Sequence, residues 1–343
     1  MAILTRCTCG IDIHAHVVPE AFPRSIRVPE PKSWPSMAEA GACAKTVTIA
    51  GKPYRTVSDL CWDVEKRIAE LDRMGIRLQV VSPMPELLST WMEPDAADDL
   101  LRYINDRTAE MVARSGGRLA GFGGVPLQDL DRAIRELDRV VGELGFLGVE
   151  IGSNVEGKPI GAPEFAPFFA EAERLGAAVF VHALRPTGMD RLVGPGQLQQ
   201  VLAYPTDVGL AAASAVTGNL MVRHPDLRIA FSHGGGTFGL LLPRLIEGHK
   251  VFPALGAEMP VPPLDQARRL YFDGLVYDGP TLARLVDLFG DDRVMIGTDH
   301  PFNFHDRTPI DRIEATFADP ERRARLVATN AERFLALAPG GQP

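Results

Sequence analysis

Apolar and polar positions follow two alternating rhythms along nearly the whole chain. Short apolar runs at residues 10–16, 78–81, 119–123, 148–151, 178–181, 228–232, 270–273 and 294–297 read as buried strands closed by glycine, proline or polar residues. Between them lie segments of helical period. Val64, Ile68, Leu71 and Met74 share one face of residues 63–74, and Gly75 ends that helix. Further helices are predicted over 95–115, 129–144 with Asp129 as cap, 164–175, 207–222, 240–246 and 280–289. Strand-like runs separated by helices in this way predict an α/β fold, a parallel (β/α)8 TIM barrel, with a doubly wound open sheet as the rival. Two stretches fall outside the alternation. Residues 17–60 form a proline-rich insertion after the first strand, where 46–50 and 54–57 flank Gly51-Lys52 as a hairpin. Residues 309–337 form a helical tail punctuated by Pro320. No repeat or linker divides the chain, so residues 1–343 read as one domain.

Composition narrows the class. Hydrophobic residues make up 45% of the chain, enough for a large core. The formal net charge of -8 argues against a nucleic-acid binder, which would present a basic face, but leaves room for an anionic small molecule held by local arginines. Cys7, Cys9, Cys43 and Cys61 show no second pair at zinc-ribbon spacing and read as reduced thiols. With neither a signal peptide nor an apolar run long enough to cross a bilayer, the expectation is a cytoplasmic protein with no membrane partner.

The candidate chemistry lies in where the polar residues fall. His14 and His16 end the first run, His182 ends the fifth, His233 the sixth, and Asp299 follows the eighth. In a parallel barrel these strand ends meet at one face, where active sites are built. Residues two apart on a strand point the same way, so His14 and His16 can converge on one ion with His182 and Asp299. Three imidazoles and a carboxylate suit Zn²⁺, and the same donors accept Mn²⁺. His233, before Gly234-Gly235-Gly236, is a candidate general acid or base, and Asp299 can also take a proton from a water at the metal. His300, beside Asp299, is a candidate pocket residue. His224 and His249 read as ordinary helix-end residues, and His305 is unassigned.

With these residues in place the chain resembles the amidohydrolase superfamily, and within it the aminocarboxymuconate-semialdehyde decarboxylase group. The resemblance runs from Ile11-Asp12-Ile13-His14-Ala15-His16 through Val125-Pro126-Leu127-Gln128-Asp129, Val181-His182 and Ser232-His233-Gly234-Gly235-Gly236-Thr237-Phe238 to Ile296-Gly297-Thr298-Asp299-His300-Pro301-Phe302. It implies Zn²⁺ on His14, His16, His182 and Asp299, with His233 acting beside it. The implied reaction is a non-oxidative decarboxylation of a small unsaturated or aromatic acid without an organic cofactor. It further implies that Arg55 and Arg244 bind substrate, the latter entering from the neighbouring subunit of a homodimer. Two guanidinium groups suit a substrate carrying carboxylates.

The chain departs from that group around the substrate. His300 replaces a tyrosine, residues 183–189 lack the expected tryptophan, Arg185 adds a possible anion contact, and Glu150 stands in place of glutamine. Hydrolysis of a lactone, amide or related bond at the same metal is the alternative activity. No lysine stands at the fourth strand end, although Glu150 leaves a second metal open there. A non-catalytic metal- or ligand-binding protein is the reading from outside enzymology.

Overall fold

The computed structural model describes residues 9–24 and 32–341. Cys7 lies outside them. Eight parallel strands follow one another around a barrel: β1 (Gly10–Val17), β2 (Ile76–Pro83), β3 (Leu119–Gly124), β4 (Gly148–Gly152), β5 (Ala178–His182), β6 (Arg228–Phe231), β7 (Tyr271–Asp273) and β8 (Val294–Met295). Each is hydrogen-bonded to the next in sequence. The cylinder closes where β1 meets the segment after β8. There the Ile13 N–H donates to the Ile296 carbonyl at 3.0 Å and the His16 N–H to the His300 carbonyl at 2.7 Å. The expected (β/α)8 barrel is therefore the fold, and every predicted strand falls within a residue or two of its place.

The strands alternate with period two. Leu78 and Val80 of β2, Phe122 of β3, Ala178 and Phe180 of β5 and Tyr271 of β7 fill the interior, where Phe334 and Leu335 of the tail close it off. Their odd-numbered or even-numbered neighbours, such as Val81, Val149, Val179 and Phe272, pack outward with helix residues such as Leu71, Leu137, Phe168 and Phe289. The last inward position of several strands is polar: Ser82 on β2, Glu150 on β4, His182 on β5, Asp273 on β7, all buried. The barrel thus has a dry lower part and a polar rim.

β1 reaches the rim by a different route. Ile11 and Ile13 belong to the interior cluster, which on a regular strand would turn His14 outward. Instead Asp12 faces Gln79 while Ala15 faces Val81, so β1 spends one residue more than β2 over that interval. This bulge switches the parity of the strand and swings His14 and His16 inward.

The insertion folds as a three-stranded antiparallel sheet, Ser36–Gly41, Ala44–Ile49 and Lys52–Ser58. The expected hairpin is its second and third strands, turned by Ala50 and Gly51, both at positive φ (54° and 71°). The first strand was not expected, because its mostly exposed, small and polar residues carry no apolar signal. Val18, Trp34, Val47, Val57, Met84, Leu100 and Phe302 form the separate core that seats this sheet on the barrel mouth.

Two helical expectations change. The helix expected over 207–222 runs Tyr204–Thr217, preceded by a wide turn at Gln199–Ala203 and broken before Leu220–Arg223, where Asn219 adopts positive φ (56°). The tail divides into Pro309–Thr316, Pro320–Ala324 and Asn330–Leu335. Among the described residues no helix is long and apolar enough to cross a membrane.

Candidate metal centre

At the rim His14, His16, His182 and Asp299 bring one donor atom each to within 4.8 Å of all the others. The Nε2 atoms of His14 and His16 are 3.1 Å apart, and the Asp299 Oδ1 lies 3.0 Å from His16 Nε2 and 3.6 Å from His14 Nε2. Each imidazole is oriented through its other nitrogen. His14 Nδ1 contacts the Asp273 Oδ2 at 2.6 Å, His16 Nδ1 the Pro83 carbonyl at 3.2 Å, and His182 Nδ1 the Ala183 carbonyl at 2.9 Å. All three partners are acceptors, so each Nδ1 carries a proton and each Nε2 faces the common centre, where it would offer a lone pair to a bound cation. The His182 Nε2 is buried with no hydrogen-bond partner. Ligand atoms crowded in this way, with the His182 Nε2 buried and unmatched, fit a divalent cation, and the histidine-carboxylate set is of the kind that binds Zn²⁺ or Mn²⁺.

The charges around the centre follow from burial and neighbours. Burial alone would lower the His14 pKa, but the Asp273 hydrogen bond and charge outweigh it and carry it up to about 9. Burial lowers His16 to about 4 against the pull of Asp299. Burial would raise Asp299, yet its contacts with His16 and the nearby imidazoles bring it down to about 2, so it is an anion ready to ligate. Asp273 was missed at the sequence level. It ends a strand run just as His182 does, so the strand-end criterion that found the histidines would have found it too. Its Oδ1 also accepts from the Gly234 N–H at 2.8 Å, tying the His14 support to the glycine turn.

His233 stands beside the cluster, its ring 5.0 Å from that of His182 and 5.5 Å from that of His14. It has a positive φ of 55° and opens the glycine turn. A Cβ on Gly236 would come within 1.7 Å of the Pro205 carbonyl oxygen, so only glycine fits that approach. His233 Nδ1 lies 3.2 Å from the Ser232 hydroxyl, which leaves Nε2 for proton exchange. Desolvation, then the charge of His14, lowers its pKa to about 4, and the ring is neutral at ordinary pH.

Behind the metal face, Glu150 accepts from the Ser82 hydroxyl and lies 3.7 Å from His16 Nδ1. Burial pushes its carboxyl up to about 8. Asp12 is held by Thr298 at 2.6 Å and Gln79 at 2.8 Å, and the buried Arg67 joins Gln79 to the His16 carbonyl. Among the described residues the only cluster of His, Cys, Asp and Glu fit to hold a metal is the one at the rim; Glu150 does not create another.

A cavity of about 330 Å³ opens above the centre, lined by His182, His233 and Asp299 below and by Tyr54, Arg55, Tyr204, Tyr277, Phe302 and Phe304 around it. Arg55 reaches it, its guanidinium 4.2 Å from the Phe302 ring centroid. The other predicted substrate residues lie elsewhere. Arg185 is stacked 3.3 Å from the Trp91 ring, faces Glu86 at 3.6 Å and lines a neighbouring cavity instead. The backbone of His300 is bonded to β1, which turns its side chain into the interior at 1% exposure, edge-on to His305. Arg244 is exposed on the helix Phe238–Val251 and does not line its own chain's cavity.

A barrel with a polar rim, three imidazoles and a carboxylate around one point, and a neutral histidine beside them defines a metal-dependent barrel enzyme. The sequence matches the amidohydrolase family model over residues 11–337, and the chain belongs to that family. Within it the chain is related to decarboxylases. It is 36% identical over 331 residues to the 2-amino-3-carboxymuconate-6-semialdehyde decarboxylase of Dictyostelium discoideum, a match covering 96% of this chain and 92% of that one. Among solved structures, the apo form of IDCase from Metarhizium anisopliae superposes with a TM-score of 0.80 at 22% identity, covering 95% of this chain and 97% of the other. The 5-carboxyvanillate decarboxylase of Novosphingobium aromaticivorans, complexed with manganese and 4-hydroxy-3-methoxy-5-nitrobenzoic acid, gives 0.71 at 23% identity, covering 81% and 82%. At these identities the two structures establish the shared fold. Site, family and relatives together make this chain a metal-dependent decarboxylase.

Proposed function

We propose that this enzyme removes carbon dioxide, without redox change, from a small unsaturated or aromatic carboxylic acid, using a divalent cation on His14, His16, His182 and Asp299. The observation that carries the reading is the gathering of that cluster, a neutral His233 and a cationic Arg55 around one cavity. The cation supplies Lewis-acid polarisation of an oxygen when bound. Loss of carbon dioxide leaves an electron pair on carbon, which a conjugated or aromatic skeleton delocalises. The carbon then needs a proton, and His233 Nε2 is the group placed to move it. Arg55 holds a substrate carboxylate by paired N–H donors, and the aromatic wall of Phe302, Phe304 and Tyr277 accepts a flat carbon skeleton. Asp299 serves as ligand and, with His233, as the second proton-handling group.

Zn²⁺ is the ion this reading favours for a three-imidazole, one-carboxylate set, with Mn²⁺ as the other candidate. Elemental analysis of the purified protein decides between them. The same reading takes residues 1–343 as one domain in a homodimer. Arg244 stands exposed beside Leu240, itself 81% exposed, and Leu241, an apolar face suited to a second copy whose cavity would receive the arginine. Cys43 and Cys61 are free thiols, which supports a cytoplasmic setting.

The test is carbon dioxide release from a panel of unsaturated and aromatic acids by the metal-loaded protein. Release from at least one acid, abolished by a chelator, supports the proposal. Turnover confined to esters, lactones or amides replaces it with hydrolysis.

A further inference from the structure

The insertion's third strand carries a second irregularity, and it lies over the cavity. In the pairing of Ala44–Ile49 with Lys52–Ser58, Val47 faces Arg55 and Thr48 faces Pro53, so Tyr54 is an extra residue with no cross-strand partner. Consecutive residues of a regular strand point to opposite faces. At this bulge Tyr54 and Arg55 both line the cavity. Opposite them, the first residue of the helix Tyr204–Thr217 brings its hydroxyl 3.5 Å from that of Tyr54. The Tyr204 ring stands edge-on to His182 at 5.9 Å, so this side chain reaches from a metal-binding imidazole to the insertion. Arg55 is one aromatic ring away from the centre: it lies against Phe302, which stacks on His16 with centroids 5.2 Å apart. Among the described residues no carboxylate pairs with Arg55, and the nearby Glu86 faces Arg185. Burial holds both phenols above their usual range, so they keep their protons.

One phenol can donate to the other, which leaves one hydroxyl proton and the guanidinium fork directed at a ligand. An oxygen anion is the chemistry that satisfies both. The cavity volume of about 330 Å³ suits a single substituted ring or a chain of similar size.

We propose that Tyr54 and Tyr204, together with Arg55, form a subsite that selects acids bearing a second oxygen substituent, a carboxylate or a phenolic oxygen, remote from the group presented to the metal. The two tyrosines are specificity-determining residues. This rests on the decarboxylase reading only for the fate of the first carboxylate; the subsite is a statement about binding.

Calorimetric titration of the metal-loaded protein with benzoate and with benzene-1,3-dicarboxylate tests it. The dicarboxylate is expected to bind about tenfold or more tightly than benzoate, as a hydrogen bond to a charged group implies. Tyr204→Phe and Tyr54→Phe should each remove most of that advantage while metal content and benzoate affinity stay as in the wild type. Equal binding of the two probes by the wild type overturns the proposal, as does a loss that falls on both probes alike in the variants. Silence of the whole acid panel in carbon dioxide release, with the binding preference intact and lost in the variants, would remove the reaction and leave the subsite standing.

Discussion

Three imidazoles at the rim are set by what their far nitrogens touch, and the shortest of those contacts is to a side chain. His16 and His182 lean on backbone carbonyls, whereas His14 leans on the Asp273 carboxylate. Asp273→Asn should therefore weaken metal binding about 10–100-fold, as removal of an orienting partner commonly does, with the fold retained. Competition with a chromogenic chelator measures it, and unchanged affinity would make Asp273 a packing residue. His233→Ala should keep the metal and lose about 10²–10⁴-fold in turnover, the range for general acid-base groups. Loss of the metal instead would make His233 a ligand. Because desolvation and then the His14 charge depress its pKa to about 4, His233 is neutral above that value and gains a proton below it. If the neutral ring is the working form, activity should persist on acidification until near pH 4; an acidic limb near the ordinary histidine value of about 6.5 would contradict this. The residues of the centre were legible in the sequence because a barrel turns the order of strand ends into proximity. Asp273 passed unnoticed since a lone aspartate after an apolar run also reads as a turn residue. Tyr54 and Tyr204 could not be paired from the sequence, because neither ends a barrel strand: one lies in the insertion and the other begins a helix.

Strands and helices were legible wherever their period was carried by buried residues. The eight runs alternate inside and outside the barrel and announced themselves; the exposed strand Ser36–Gly41 did not. Bulges are invisible from one strand alone, since each is a mismatch between two. In β1 the mismatch decides function, for without it His14 and His16 would face the helices. Deleting Ala15 or inserting a residue beside it should lose metal binding along with correct strand packing, which metal content and near-ultraviolet dichroism would report together. The glycine turn is constrained just as tightly. Gly236→Ala puts a methyl group against the Pro205 carbonyl at a positive φ of 55°, and a cost of about 1–3 kcal/mol is expected from backbone strain alone. Chemical denaturation measures it, and a stability equal to the wild type would show that the helix beginning at Tyr204 yields easily.

For the molecule as a whole, a cation bound only by the folded state adds to stability by mass action, about 2.7 kcal/mol when free metal stands at a hundred times its dissociation constant. Chelation should lower the melting temperature as well as abolish turnover, and a melting temperature indifferent to chelator would mean the ion contributes nothing to the fold. On the proposed dimer, Arg244→Ala should raise KM without unfolding the chain; an unchanged KM would remove Arg244 from the proposed substrate site. Assembly is the least legible level, because an exposed arginine among leucines looks like any other surface in a single chain.

The barrel's seam has a consequence for how the enzyme is made. His14 and His16 lie on one side of the joint and Asp299 on the other, and the His14 carbonyl takes the Asp299 N–H at 2.9 Å. A chain still growing on the ribosome has its imidazoles early and lacks the carboxylate until the last strand has emerged. Metal capture in its final form thus waits for the eighth strand, and the ion would act as a rivet between the first and last strands of the barrel.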